Sequence, residues 1–198
     1  MFQTIEPKIL YFGTPVVLIS SMNEDATPNL APMSSAWALG WTIVLGLGTN
    51  GKTYENLLRY GECVLNLPSE DLWSAVETLA PLTGKTPLPL HKRERFRYEP
   101  DKFGAAHLTP LPSLCVTPPR VAECPLQMEA KVRNIIAVGG ADSDIAAVEI
   151  EVIKVHAHES IIYSGDYVHP QKWKPLIYNF RHYFGLGEEL GKSFRSET

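Results

Sequence analysis

Between an apolar stretch and a short amphipathic one lies Thr49-Asn50-Gly51-Lys52-Thr53-Tyr54-Glu55-Asn56, the segment whose residue types and spacing are best suited to chemistry. Glycine lets the backbone bend, and the first N–H groups of a helix have no partner within it. Lys52 and the hydroxyls of Thr49 and Thr53 add charge and donors. Together these make a cradle for an anion, a phosphate above all. Read literally, Gly46 to Thr53 also satisfies GxxxxGK[ST], the loop that binds nucleoside triphosphates. That reading needs a βαβ unit, a long following helix and a strand ending in aspartate to hold magnesium. Here the helical pattern carries Leu57, Leu58 and Tyr60 and stops at Gly61, and the next strand, Cys63-Val64-Leu65-Asn66-Leu67, ends in asparagine before a proline. A P-loop nucleotide-binding protein is therefore the remote alternative, and a solvated turn with an idle lysine the plainer one.

Other chemistry is thinly represented. His156 and His158 stand two apart on one face of a strand, but two ligands do not make a metal site, and no HExxH or cysteine cluster completes one. His91, His107, His169 and His182 are scattered and no GxSxG elbow accompanies them. Cys63, Cys115 and Cys124 are odd in number without CxxC spacing, which reads as reduced, buried thiols in a cytoplasmic protein. No catalytic residue and no metal ligand is nominated.

The 198 residues suffice for one domain with a sizeable core. A net charge of −4 without a basic stripe argues against nucleic acid as the main partner. Apolar runs are too short to span a membrane, and the first residues lack the basic-then-apolar order of a signal peptide.

Period-two patterns outnumber helical ones. Strands are expected over Pro15 to Ser21, Leu30 to Trp37 and Trp41 to Leu47, with a turn around Asn23-Glu24-Asp25 and a corner at Leu39-Gly40. Short strands joined by tight turns favour antiparallel pairing. A helix is expected from Glu70 to about Ala80, capped by Ser69 and stopped by Pro81 and Gly84. Pro81 to Pro119 reads as a long surface excursion, its Lys92, Arg93 and Arg95 a solvated face. Leu126 to Arg133 alternates as a strand with one buried face. From Val148 to His158 the apolar phase switches at Ile153, which suits a strand that bends around a closed barrel or carries a bulge. Trp37 and Trp41 read as core or interface aromatics.

Asn29-Leu30-Ala31-Pro32-Met33-Ser34-Ser35-Ala36-Trp37, the Thr49 to Asn56 cradle and Gly61 to Leu67, in that order, resemble the flavin reductase family of the FMN-binding split barrels, which includes flavoredoxin-like proteins. The resemblance runs from Pro15 to about Asp166. It implies a mainly β fold, a Greek-key split β-barrel with a few flanking helices, in a single domain over 1–198 with about 167–198 as an extension. It also implies a homodimer with FMN near the dimer interface. Ala31, Pro32, Met33, Ser34, Ser35 and Ala36 match the strand beside the flavin ring; on pattern alone this segment is an ordinary edge strand. Thr49, Gly51, Lys52 and Thr53 match the phosphate loop, and Asn29 and Asn56 match positions that orient these elements. The implied activity is hydride transfer from NAD(P)H to FMN and onward to a small-molecule acceptor or a partner oxygenase. The alternative within the same family is a flavoredoxin-like electron carrier without NAD(P)H turnover of its own.

The tail from Ile177 to Gly187 holds a basic and aromatic cluster. By loose resemblance, Arg181 or His182 contacts the flavin phosphate or the nicotinamide nucleotide. Equally, Phe180, Tyr183 and Phe184 make a packing segment.

Overall fold

In the computed structural model, which describes residues 1–88, 93–140 and 142–196, alternation along the strands sorts apolar side chains onto two faces of one curved sheet. In chain order the elements are β1 (Phe12–Pro15), β2 (Val17–Met22), β3 (Pro28–Met33), β4 (Ala36–Leu39), β5 (Thr42–Gly48), α1 (Lys52–Tyr60) and β6 (Glu62–Leu67). Then come α2 (Trp73–Leu79), β7 (Leu82–Thr83), β8 (Arg97–Tyr98), α3 (Lys102–Ala105), β9 (Pro110–Leu111) and β10 (Arg120–Val121). The long strands β11 (Leu126–Val138) and β12 (Ile145–Ala157) follow, and β13 (Ile177–Asn179) and β14 (His182–Phe184) close the series.

Seven strands pair in the order β3-β2-β6-β11-β12-β5-β4, all antiparallel. The two edges, β3 and β4, are joined by only Ser34 and Ser35. Two residues cannot bridge a flat seven-stranded sheet, so the sheet rolls until its edges meet. The Gly46 N–H donates to the Ser35 carbonyl at 2.7 Å, which extends the β4–β5 ladder one residue into that link. The result is the expected Greek-key split barrel, mainly β with a few helices. It corrects one expectation, since Leu30 to Trp37 is two strands broken at Ser34-Ser35. It also removes the βαβ unit that a P-loop requires, because β5 and β6, on either side of α1, are not neighbours.

Val17, Ile19, Leu45, Leu65, Val148 and Ile150 fill the barrel interior, where Leu57 and Tyr54 of α1 join them. Leu18 and Leu30 point outward instead, against Val76 and Leu79 of α2 and Phe103 of the 81–119 excursion. The switch at Ile153 is a bulge: Glu129 pairs with Lys154 and Ala130 with Val152, which skips Ile153. The Glu70 helix is present but opens with a 3₁₀ turn, Glu70–Leu72, and the Ser69 side chain does not cap it. Cys63 and Cys124 are buried, and burial pushes the Cys63 thiol up to about 12, whereas Cys115 is exposed, against expectation. Among the described residues no helix is long and apolar enough to cross a membrane.

Candidate functional site

Strand β5 delivers the chain to Thr49, whose N–H donates to the Asp144 carbonyl at 2.8 Å, and Gly51 N–H turns back to Gly48 at 3.1 Å. Gly51 is the N-cap of α1 and has no side chain to satisfy the first N–H groups of the helix. The nine-residue helix ends at Gly61, left-handed at φ 66°, whose N–H donates to Leu57. Asn29 anchors the loop to β3, its amide donating to Thr53 Oγ1 at 3.3 Å and to Ser21 Oγ at 3.5 Å. Asn56 is fully buried and donates to Ser21 Oγ at 3.1 Å and to Asn23 Oδ1 at 3.0 Å, which ties α1 to β2 and its turn. The Oδ1 atoms of both asparagines are buried and have no hydrogen-bond partner among the described residues. Gly84 closes against this pair, since a Cβ there would stand 2.6 Å from Asn29 Oδ1 and 3.3 Å from Lys52 Cγ.

Lys52 Nζ is ion-paired with Glu24 and lies 4.0 Å from Glu55. Glu24 also meets Arg59 at 2.5 Å, and Glu55 meets Lys85 at 2.5 Å. These three cations and two carboxylates leave the cluster with one net positive charge. Hydrogen bonding from Lys52 first, then from its own backbone and from Arg59, lowers the Glu24 carboxyl to about 2.

The other end of β3 opens on a cleft of about 830 Å³ lined by Pro32, Met33 and Ser34 on one side and by Tyr11, Tyr178 and Arg181 on another. Arg95 and Phe96 of the 81–119 excursion reach the same cleft; Arg95 is exposed, as a solvated charge should be, and still faces it. The three tyrosines Tyr11, Tyr178 and Tyr183 pack in sequence, with centroids 5.5 Å apart at each step. Tyr183 donates to Glu77 Oε2 at 2.9 Å, and burial followed by that carboxylate raises its phenol above the usual range. Ser35 Oγ donates to Tyr11 OH at 3.0 Å. A Cβ on Gly46 would come within 3.0 Å of the Ser35 Cβ, so glycine is what admits Ser35 at the seam.

Phe180 and Arg181 form the two-residue turn between β13 and β14, both left-handed at φ 43° and 70°. Bulky residues take that conformation only under strain. The tail completes a three-stranded sheet with β1, packs Tyr178 and Tyr183 against the core and places Arg181 on the cleft wall.

The predicted residues fall into two groups joined by β3. Asn29, Thr49, Gly51, Lys52, Thr53 and Asn56 gather around the start of α1, while Pro32, Met33, Ser34 and Arg181 gather at the cleft, with Ala31 between them on β3. Ser35 sits in the seam and Ala36 packs on the barrel interior. His182 is exposed on β14 and is not among the cleft's lining residues. Lys92 and His91 lie outside the described residues. His156 is 2.7 Å from the buried Glu129, and among the described residues no three metal-ligating side chains converge. Trp37 and Trp41 are 60% and 61% exposed, so neither belongs to the core. Sequence reasoning missed Glu24 and Tyr11; Glu24 meets Lys52 across 28 residues of chain, a contact that no local spacing reports.

The donor set suits a flavin mononucleotide. An uncapped helix start, a threonine hydroxyl and a lysine face one end of β3, and a flat-walled cleft faces the other. Four to five residues separate Asn29 from Met33 and Ser34, about 13–16 Å at strand rise.

The solved structures with this architecture include flavoredoxin of Desulfovibrio vulgaris (Miyazaki F), with a TM-score of 0.82 at 23% identity over 100% of both chains. Nitrilotriacetate monooxygenase component B from Bacillus cereus gives a TM-score of 0.75 at 22% identity, over 94% of this chain and 89% of that one. At these identities they speak for the fold. In sequence, the chain is 52% identical over its whole length to the uncharacterized protein YdfE of Bacillus subtilis (strain 168), covering 95% of it. The model of the flavin reductase like domain matches residues 9–187, and the chain belongs to that family.

Proposed function

We propose that the protein binds FMN and acts as an NAD(P)H-dependent flavin reductase. The observation that carries the reading is the pairing of an anion-accepting helix start with an aromatic-walled cleft at opposite ends of one strand. Bound flavin would supply the redox chemistry, accepting hydride and passing electrons to an acceptor. The chain supplies the rest. The first N–H groups of α1, the Thr53 hydroxyl and Lys52 hold the phosphate, and Met33 and Ser34 back the ring. Arg181 and Arg95 attract an anionic nucleotide to the mouth, and the tyrosines keep water from the reacting faces. Tyr183 keeps its proton on Oη, turned toward Glu77, and so takes no part as an acid near neutral pH. No side chain need act as acid or base, because positioning two rings for hydride transfer suffices.

Two further features belong to the proposal: a single domain over 1–198 and a homodimer. Edge strand β4 supports the second, for Trp37 and Leu39 on it and Trp41 beside it are 60%, 76% and 61% exposed. The second reading is an electron carrier reduced by a partner protein. Anaerobic mixing of the FMN-loaded protein with NADH and with NADPH separates them. Rapid bleaching of the flavin is the result expected; a flavin that stays oxidised with both nucleotides assigns the carrier role.

A further inference from the structure

Lys52, the cation nearest the start of α1, does not face solvent alone. Its ammonium is ion-paired with Glu24, and its side chain is only 12% exposed. Glu24 lies on the turn between β2 and β3, and that turn is fixed from several directions. Asn23 N–H donates to the Thr27 carbonyl at 2.8 Å, Asp25 accepts from Thr27 N–H at 3.1 Å, and buried Asn56 donates to the Asn23 side chain at 3.0 Å. Glu24 therefore presents its carboxylate to Lys52 from a held position. Its other oxygen is 2.5 Å from Arg59, so the carboxylate keeps one cation when it releases the other. The recess that Lys52 and Glu24 share is about 400 Å³ and open to solvent, with room for an incoming anion.

We infer that Glu24 is an intramolecular competitor for the phosphate site, occupying Lys52 when no flavin phosphate is bound and withdrawing to Arg59 when one arrives. This rests on the reading of Lys52 as a phosphate ligand. Each binding event must break one ion pair to make another, which lowers affinity for the phosphate-bearing ligand and leaves contacts to the ring unchanged. The consequence is a phosphate site whose affinity is set by the balance of two ion pairs and is lower than Lys52 alone would give. Glu24 remains ionised throughout the physiological range, so the competition operates at every such pH.

The test is a set of dissociation constants for FMN and for riboflavin, measured by flavin fluorescence quenching on flavin-free wild type, E24Q, E24A, K52A and the E24Q/K52A double variant. Lack of the phosphate makes riboflavin the internal reference. E24Q and E24A should each tighten FMN by at least about threefold relative to riboflavin, and the gain should vanish in the K52A background. With FMN held well below its dissociation constant, inorganic phosphate should displace it from E24Q at lower concentration than from wild type. If K52A weakens FMN relative to riboflavin but E24Q leaves that ratio unchanged or lowers it, the inference about Glu24 is wrong and the phosphate loop stands. If K52A leaves the ratio unchanged, the phosphate loop itself is wrong.

Discussion

Gly84 shows how closely the phosphate end of the site is fitted. An alanine there meets Asn29, whose amide spans Thr53 and Ser21, so G84A should cost about 1–2 kcal/mol in denaturant unfolding and also weaken FMN binding. Arg181 presents the opposite case, in which a residue is retained at some cost to stability. Its left-handed turn suits glycine, so R181G should equal or exceed the wild type in stability by up to about 1 kcal/mol. Lost charge at the cleft should nevertheless raise KM for the nicotinamide nucleotide or loosen FMN, in R181G and R181A alike. Unchanged kinetics and flavin content in both would remove Arg181 from the site. The place of Lys52 and Thr53 at a helix start was legible in the sequence because helix-start signals are local. Glu24 was not, since its significance lies in a cation that only folding brings near.

Strands β11 and β12 carry the elements around the site, and one buried carboxylate fixes a loop to them. Glu129 is wholly buried on β11, where Oε1 accepts from Leu114 N–H at 2.8 Å and Oε2 from Cys115 N–H at 2.5 Å. Burial alone would raise its carboxyl, but those two N–H donors and His156 outweigh it and hold the group below the usual value of 4.5. A folded-state value below the unfolded one means the contribution is complete above about pH 4.5 and is lost as pH falls through the folded value. E129Q should therefore destabilise by about 2–4 kcal/mol near neutrality, and its deficit against wild type should shrink as pH falls from neutrality to below 4.5. Equal deficits at both ends would contradict that account. Elements with regular alternation were readable before the fold was known, and the bulge at Ile153 showed itself as a change of phase. The break at Ser34-Ser35 did not, because a strand that ends to close a barrel keeps the composition of one that continues. The 3₁₀ opening at Glu70 was equally hidden, since propensity does not separate the first turn of an α-helix from a tighter one.

At the scale of the whole molecule, one barrel leaves its seam strand β4 with an unpaired edge and three large exposed side chains, Trp37, Leu39 and Trp41. A homodimer that covers them predicts a single dimeric species in sedimentation velocity for wild type and a monomer for the W37K/L39K double variant, with the barrel still folded by circular dichroism. The family and barrel class could be read from three short blocks of sequence, because the cradle and the serine strand are contiguous stretches. The cleft could not, for its walls come from the residues flanking β1, β3, α2, the 81–119 excursion and the β13–β14 hairpin, which meet only once the sheet has rolled. The account depends on a flavin monophosphate lying along β3. The most direct measurement is to release bound flavin from the purified protein by heat, identify it, and titrate the flavin-free protein with FMN. The account predicts a yellow preparation that yields FMN and not FAD, and takes up one FMN per chain. A colourless protein that ignores FMN yet binds ATP with magnesium would contradict it.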